Sequence, residues 1–351
     1  MILFFSDLHI NETAQFSVAT ENGFTIRQMM AIQCCQDVVD VLKDPKYHFE
    51  AVVNGGDMIN KVGNNISTSD LACLTKCISM IQEECIRQGI KFYIIPGNHD
   101  IASNTQGFHK LIPFKSYQNV EIIDTFKVID NYVFMPYAYD DDEANNFLEG
   151  IQDKQDKIVF SHLELKDIPL GNGLLSSHGA SINILKQFKM TLQGHYHTPQ
   201  EPAKNVIISG SCHKTSFKDP GGGSMLLYDP ETNKCIRKYF TVPSWYTFDD
   251  DNIDEIKDLD PNNYVKVIVS SEAILKFHGI TKEFLNKFKG SEIVIDVQKI
   301  SLKRKMASQE SLEQETEEDI LHRFIELAKV PEDDKQALTE LGLDLIARAR
   351  K

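Results

Sequence analysis

The chain has 351 residues, 42% hydrophobic and 25% charged, with 37 Lys and Arg against 51 Asp and Glu and a formal charge of −14. This composition excludes wholesale disorder and collagen-like or mucin-like sequence, and the length is that of about two domains. No stretch approaches the about 20 apolar residues of a membrane helix, and the N-terminus has no basic n-region or small-residue cleavage site, so neither a membrane span nor a signal peptide is expected.

The predicted elements begin with a strand at Ile2-Leu3-Phe4-Phe5, followed by apolar residues at helical spacing from Ile26 to Leu42. Ala51-Val52-Val53 is a strand. Leu71 to Ile86 is a helix with Leu71, Leu74, Ile78, Ile81 and Cys85 on one stripe, and Lys91 to Ile95 is a strand. This β–α–β–α order predicts an α/β sheet with covering helices. From residue 120 strands dominate: Val120–Ile123, Phe126–Ile129, Tyr132–Pro136, Lys157–Ser161, Met190–Gln193, Val206–Ser209, Met225–Tyr228 and Cys235–Phe240. They predict a second sheet packed against the first. Asp249–Asp260 reads as a linker or solvated helix edge. The strands from Tyr264 and from Glu292, with a helix near Ile280–Phe288 between them, form a small α+β unit, and residues 309–351 read as two helices.

Charge is uneven along the chain. Residues 249–260 and 309–351 each carry a net −6, residues 261–308 carry +5, and the first 248 residues carry −7. No basic stripe of the kind that marks a stand-alone nucleic-acid binder is present, so a polyanionic substrate would need bound cations or a partner protein. Seven cysteines without a Cys-x-x-Cys pair read as free thiols in a reducing cytosol. Cys73 and Cys77, four apart on a helix, are expected to pack.

Five short polar clusters follow apolar strands: Asp7-Leu8-His9, Gly56-Asp57, Gly97-Asn98-His99-Asp100, His162 after Ile158–Ser161, and Gly194-His195-Tyr196-His197. Ligands of α/β sheets bind at the carboxyl ends of strands, where all five can converge. Two Asp, one Asn and neutral imidazoles form a mixed oxygen and nitrogen donor set suited to manganese, iron, zinc or magnesium, with no thiolate. The donors are too many for one ion and suit two, and a pair of ions about 3.5–4 Å apart needs a bridging carboxylate. Asp7 and His9, like His195 and His197, are two residues apart and emerge on one side of extended chain, with Tyr196 turned away.

The ordered set resembles the calcineurin-like metallophosphoesterases, whose pattern is D-x-H, G-D, G-N-H-D/E, H and G-H-x-H, over about residues 1–240. The resemblance implies a two-sheet α/β sandwich flanked by helices. It also implies that Asp7, His9, Asp57 and His197 hold one ion and Asp57, Asn98, His162 and His195 the other, with Asp57 bridging. His99 would face the scissile phosphate, oriented by Asp100, while a hydroxide shared by the ions attacks phosphorus. Within the superfamily the chain is most similar to the DNA-repair nuclease branch, comprising the SbcD nuclease and the small subunit of the tailed-phage recombination endonuclease. The features are Ser177-His178-Gly179 upstream of Gly194, Gly210-Ser211 followed by Phe217-Lys218-Asp219, and the small C-terminal α+β unit with its helical pair.

That branch implies a nuclease domain over 1–245, a capping domain over 246–306 and a helical ATPase-docking region over 307–351. It implies two divalent ions, Mn2+ or Mg2+, exonuclease and single-strand endonuclease activity on DNA, and a homodimer bound to an SbcC-like ABC ATPase with coiled coils. The setting would be the cytoplasm of a bacterial or phage-infected cell. His178 and Lys218 are candidate DNA contacts. Asn60 stands where many cellular relatives have His. The apolar stripe Ile320, Leu321, Phe324, Ile325 and Ala328 suits either the core of the small unit or a partner coiled coil. A phosphoprotein phosphatase, a small-molecule phosphodiesterase and a non-catalytic scaffold remain the competing readings.

Overall fold

The computed structural model describes residues 1–60, 65–102, 108–169, 175–219 and 221–296, together with 321, 325, 335, 336 and 338–343. Contact density divides the chain into two units. One comprises Met1–Val267 and His278–Ile293, and the other Ile268–Phe277 and Val294–Lys351.

The first half alternates as its sequence predicts: β1 (Ile2–Phe5), α1 (Ile26–Lys43), β2 (Ala51–Asn54), α2 (Thr68–Gln88) and β3 (Lys91–Ile94), and it is followed by β4 (Val120–Ile122). Local chemistry sets the helix ends. Thr25 and Gln28 close a reciprocal capping box on α1. Ser67 caps the start of α2, and Gly89, at φ 70°, ends it in the left-handed region. The next elements are β5 (Lys127–Ile129), β6 (Tyr132–Met135), α3 (Asp141–Gly150), β7 (Ile158–Ser161), α4 (Ile182–Leu185), β8 (Met190–Gln193), β9 (Gln200–Ala203), β10 (Val206–Ile208), β11 (Ser224–Asp229) and β12 (Lys234–Tyr239). They are followed by β13 (Trp245–Asp249), β14 (Tyr264–Val269), α5 (Glu272–Phe277), α6 (Lys282–Leu285) and β15 (Gly290–Ile295).

Two six-stranded sheets, β12-β11-β1-β2-β3-β4 and β5-β6-β7-β8-β10-β9, form the sandwich, and β13-β14-β15 make a third, smaller sheet. β1 to β4 run parallel. So do β6, β7, β8 and β10. The period-two alternation of each strand builds the layers. Ile2, Phe4, Val53, Tyr93, Phe134, Phe160 and Leu192 meet between the sheets. The alternate residues Leu3, Phe5, Val52 and Phe92 pack under α1 and α2. Val133 and Val159 pack with α3 and α4 on the opposite outer face. Each fully buried Leu, Val or Phe contributes about 1.5–3 kcal/mol.

Two elements were not expected, and two readings of the sequence are corrected. Val120–Ile123, Met225–Tyr228 and Cys235–Phe240, expected in the second sheet, join the first as β4, β11 and β12 by pairing with β3, β1 and β11. α3 was not expected, because only Ala144 and Leu148 of its ten residues are buried. β9 escaped because Pro202 interrupts it, and its antiparallel pairing with β10 at the sheet's edge tolerates a proline. Of the two readings of the acidic run, the solvated helix edge is the one seen: Ile253 and Ile256 of a 3-10 turn, Ile253–Asp258, are buried while its acids face solvent. Leu71 falls off the buried stripe of α2, at 36% exposure, whereas Cys73 and Cys77 pack at 0%. All seven cysteines are free thiols. Leu321 and Ile325 are helical and Ile325 is buried, while Ile320, Phe324, Ala328 and most of the expected helical pair lie outside the described residues. No helix among the described residues is long and apolar enough to cross a membrane.

Candidate metal centre

The five polar clusters lie in the loops that leave the carboxyl ends of β1, β2, β3, β7 and β8. Backbone hydrogen bonds hold these loops in register: Asp7 N to Gly56 O at 2.9 Å, His9 N to Asp57 O at 3.0 Å, and Gly194 N to Ser161 O at 2.9 Å. Asp7, His9, Asp57 and His195 have left-handed backbones at φ 58°, 48°, 53° and 70°. Each costs a non-glycine residue about 1 kcal/mol or more, and four such residues in one place mark a site that the surrounding fold over-determines. A Cβ on Gly56, at φ 103°, would meet the His162 ring, so only glycine lets β2 and His162 approach this closely.

Asp7, His9, Asp57 and His162 form a buried floor, and Asn98, His99, His195 and His197 a half-exposed rim. His9 Nε2 lies 2.8 Å from His197 Nε2 and 3.8 Å from Asp7 Oδ1. Asn98 Oδ1 lies 3.3 Å from His162 Nε2 and 3.1 Å from His195 Nδ1. Asp57 Oδ2 faces both groups, at 3.8 Å from His9 Nε2 and 3.4 Å from His162 Nε2. Its other oxygen accepts the His99 N–H at 2.8 Å, which fixes the carboxylate's rotation. Three triads bring donor atoms within 4.8 Å of one another: Asp7/His9/His197, Asp7/Asp57/His162 and His9/Asp57/His99.

The donor chemistry fits divalent cations. Donors that share an ion at bond lengths of about 2.1 Å sit about 3 Å apart, the spacing seen here. His162 Nδ1 donates to Gly55 O at 2.5 Å, so Nε2 faces the acceptors Asn98 and Asp57. Lone pairs facing lone pairs repel unless a proton or a cation lies between them. Asp7 Oδ1 and His9 Nδ1 are buried with no hydrogen-bond partner among the described residues, and a buried carboxylate oxygen without a donor is costly unless it is protonated or lies beside a cation.

Titration behaviour agrees. Burial raises the Asp7 carboxyl to about 6, with the Asp57 charge adding to it. Burial also draws Asp57 upward, but the charge and hydrogen bond of His162 outweigh it and hold Asp57 below the carboxylate range. In return, the Asp57 charge overcomes the burial of His162 and raises it to about 9. Burial lowers His9 and His195 to about 3 each. Without a cation, a proton on His162 Nε2 lies between the ring and the acceptors Asn98 and Asp57.

His99 donates from Nδ1 to the Asn60 carbonyl at 3.2 Å, which leaves Nε2 at the half-exposed rim. Asn60 thus serves the site through its backbone. The expected role of Asp100 is corrected: its buried carboxylate accepts the backbone N–H groups of Gly97 at 2.9 Å and Ile59 at 3.1 Å, so it locks the loop rather than the His99 ring. Lys110 Nζ donates to His99 O at 2.8 Å from below. His178 and Lys218 are exposed, and neither is brought into the cage.

Sequence reasoning passed over two groups. Asp219, quoted only as part of a loop pattern, accepts His197 Nδ1 at 2.9 Å. His213 is 3% exposed beside the same loop, with no motif to mark it.

The family model for the calcineurin-like phosphoesterases matches residues 1–199. Among curated proteins, "Putative phosphoesterase 244L" of Invertebrate iridescent virus 6 is 28% identical over 210 residues, covering 56% of this chain and 71% of the viral protein. "Putative phosphoesterase 078R" of Invertebrate iridescent virus 3 is 26% identical over 182 residues, covering 47% of this chain and 48% of that protein. The chain thus spans about half the length of the second relative. With the two-sheet sandwich and its Asp and His cage, the match over more than half of the chain establishes that it belongs to the calcineurin-like phosphoesterase family.

Proposed function

We propose that the chain is a two-metal phosphodiesterase acting on DNA, the nuclease subunit of an SbcCD-like complex. The observation that carries the two-metal reading is the Asp57 carboxylate, whose Oδ2 faces His9 Nε2 at 3.8 Å on one side and His162 Nε2 at 3.4 Å on the other. Asp7, His9, Asp57 and His197 would hold one ion, and Asp57, Asn98, His162 and His195 the other. Such ions, Mn2+ or Mg2+, supply Lewis-acid polarisation of the phosphoryl oxygens and ionise water at neutral pH.

The protein's own part follows from tautomers and burial. His162 and His197 each commit Nδ1 to an acceptor and present Nε2 inward. His99 holds its ring on the Asn60 carbonyl and presents Nε2 to the open rim. There an imidazolium can offset charge on the phosphoryl oxygens or protonate the leaving oxygen. Asp100, locked on Gly97 and Ile59, keeps that loop from drifting.

The choice of DNA rests on the sequence features shared with the SbcD-like branch. A chain of charge −14 has little intrinsic attraction for a polyanion, which suits a subunit that borrows its DNA surface from a coiled-coil ATPase and works as a homodimer. A second reading, a small-molecule phosphodiesterase or phosphoprotein phosphatase, draws on the acids Glu164 and Asp141. Burial raises the Tyr137 hydroxyl beside His195, and the charges of these acids add to it.

One assay separates the readings. Purified chain with Mn2+ is given linear duplex DNA, circular single-stranded DNA, bis(p-nitrophenyl) phosphate and a phosphopeptide in parallel. DNA cleavage that Asp57→Asn abolishes without unfolding the chain supports the proposal. Turnover of the phosphopeptide or the small diester with DNA left intact overturns the DNA reading. ATPase binding that survives deletion of residues 309–351 overturns the docking assignment.

A further inference from the structure

We propose that Asp219 and Arg27 are positioning residues of the metal centre: Asp219 fixes the ring of His197, and Arg27 holds the loop that carries Asp219 against the Trp245–Tyr264 stack. The proposal rests on the reading of His197 as a metal ligand.

Asp219 is 7% exposed and saturated with donors. Its Oδ2 accepts His197 Nδ1 at 2.9 Å, Thr215 N at 2.9 Å and Thr215 Oγ1 at 2.8 Å. Its Oδ1 accepts Gly221 N at 2.8 Å. Donors from the loop and from Gly221 therefore hold the carboxylate before His197 reaches it. A carboxylate on Nδ1 fixes the ring's plane and tautomer and makes Nε2 a better donor to a cation. His197 is half-exposed and lies on the rim, so without that partner its ring keeps only the contact with His9 Nε2 at 2.8 Å.

The loop is held from the other side by Arg27, which is 3% exposed although it lies in the first turn of α1. Its Nη2 donates to the carbonyls of Lys214 at 2.9 Å and Thr215 at 3.2 Å. Its guanidinium lies 5.0 Å from the Trp245 ring and 5.5 Å from the Tyr264 ring. Those rings stack on each other at 4.3 Å, with Phe16 and Phe217 closing the cluster. A buried guanidinium with aromatic faces on one side and two carbonyls on the other is rigid, and lysine cannot reproduce that fork. The chain of contact runs from β13 and β14 through Arg27 and Thr215 to Asp219 and His197. The small sheet thereby becomes part of the support of the metal centre.

The test uses the full chain and Mn2+ alone, titrated by electron paramagnetic resonance. Wild type is expected to bind two ions, and His197→Ala to lose one. Asp219→Asn is expected to loosen the same ion about 10- to 100-fold and leave the other within about threefold. Arg27→Met is expected to loosen it about 2- to 30-fold. Long-range 15N spectra of metal-free wild type should show His197 protonated on Nδ1, a readout that requires no variant to fold. Two ions bound normally by Asp219→Asn, when His197→Ala has lost one, overturn the proposal and leave the ligand reading standing. Two ions bound normally by His197→Ala overturn both. A His197 whose Nδ1 carries no proton overturns the Asp219 assignment, and wild-type binding by Arg27→Met overturns the brace.

Discussion

Replacing Gly97 by alanine puts a methyl group where the cage has no room for one. Its Cβ would overlap Asp57 Oδ1, lie 2.5 Å from Asp57 N and lie 2.7 Å from His162 Nε2. Against an ordinary contact of 3.4 Å, the loop has to retreat by about 1 Å. Neither side yields easily: Asp57 Oδ1 is bonded to His99 N at 2.8 Å and Asp100 to Gly97 N at 2.9 Å. Overpacking of this kind costs about 1–3 kcal/mol. In a domain of this size that lowers Tm by about 2–12 °C. The catalytic effect is larger, because a displacement near 1 Å at the reacting groups costs about 100-fold in rate. The assay is Mn2+-dependent hydrolysis of bis(p-nitrophenyl) phosphate alongside thermal melts. Gly150→Ala is the matched control: a Cβ there meets nothing within 4 Å at the end of α3. The control should be neutral or stabilise by up to about 1 kcal/mol. A Gly97→Ala enzyme with wild-type rate and Tm, or a control equally damaged, refutes the steric reasoning.

Burial, reinforced by the Arg27 charge, lowers His213 to about 4, so it folds neutral. Its contribution is whole above the unfolded value near 6.5 and is lost as pH falls toward 4, about 3 kcal/mol in all. His213→Gln should flatten the acid slope of stability between pH 7 and 4, and an unchanged slope excludes His213 as its source. Phe134 is fully buried between the sheets, 5.3 Å from the Phe160 ring and 4.9 Å from Tyr93. Phe134→Ala should cost about 3–5 kcal/mol by urea denaturation with an unchanged m-value, and a loss under about 1 kcal/mol would mean that the sheets do not share one core there. Mn2+ at about 100 times its dissociation constant should stabilise the folded chain by about 2.7 kcal/mol, reversibly with chelator. The Asp57→Asn protein should lose most of that shift, and full retention would remove Asp57 from the cage.

Strand positions were legible because alternation is local: Ile2 and Phe4 face one way and Leu3 and Phe5 the other whatever their partners are. The helix ends at Thr25 and Gly89 were set by neighbours a few residues away. α3 and β9 were not legible, because two buried residues and a proline leave no periodic signal, and docking on the rest of the sheet holds them.

The same division runs through the site. The residue types that converge between Asp7 and His197 could be read from five clusters at strand ends. Which nitrogen each imidazole presents could not. That depends on Gly55 O for His162, 107 residues away, on Asn60 O for His99, 39 away, and on Asp219 for His197, 22 away. The placing of Asp100 on the loop's own amides is of the same kind. The sequence by itself determined the donor types, their order along the chain and the sheet edge they share, since these follow from residue chemistry and short-range periodicity. Only the tertiary structure decided the direction of the lone pairs, the left-handed backbones at four of the site residues and the partner of each ring. A hydrogen bond's direction depends on where both ends are held, and here the two ends come from loops that meet only after both sheets have packed.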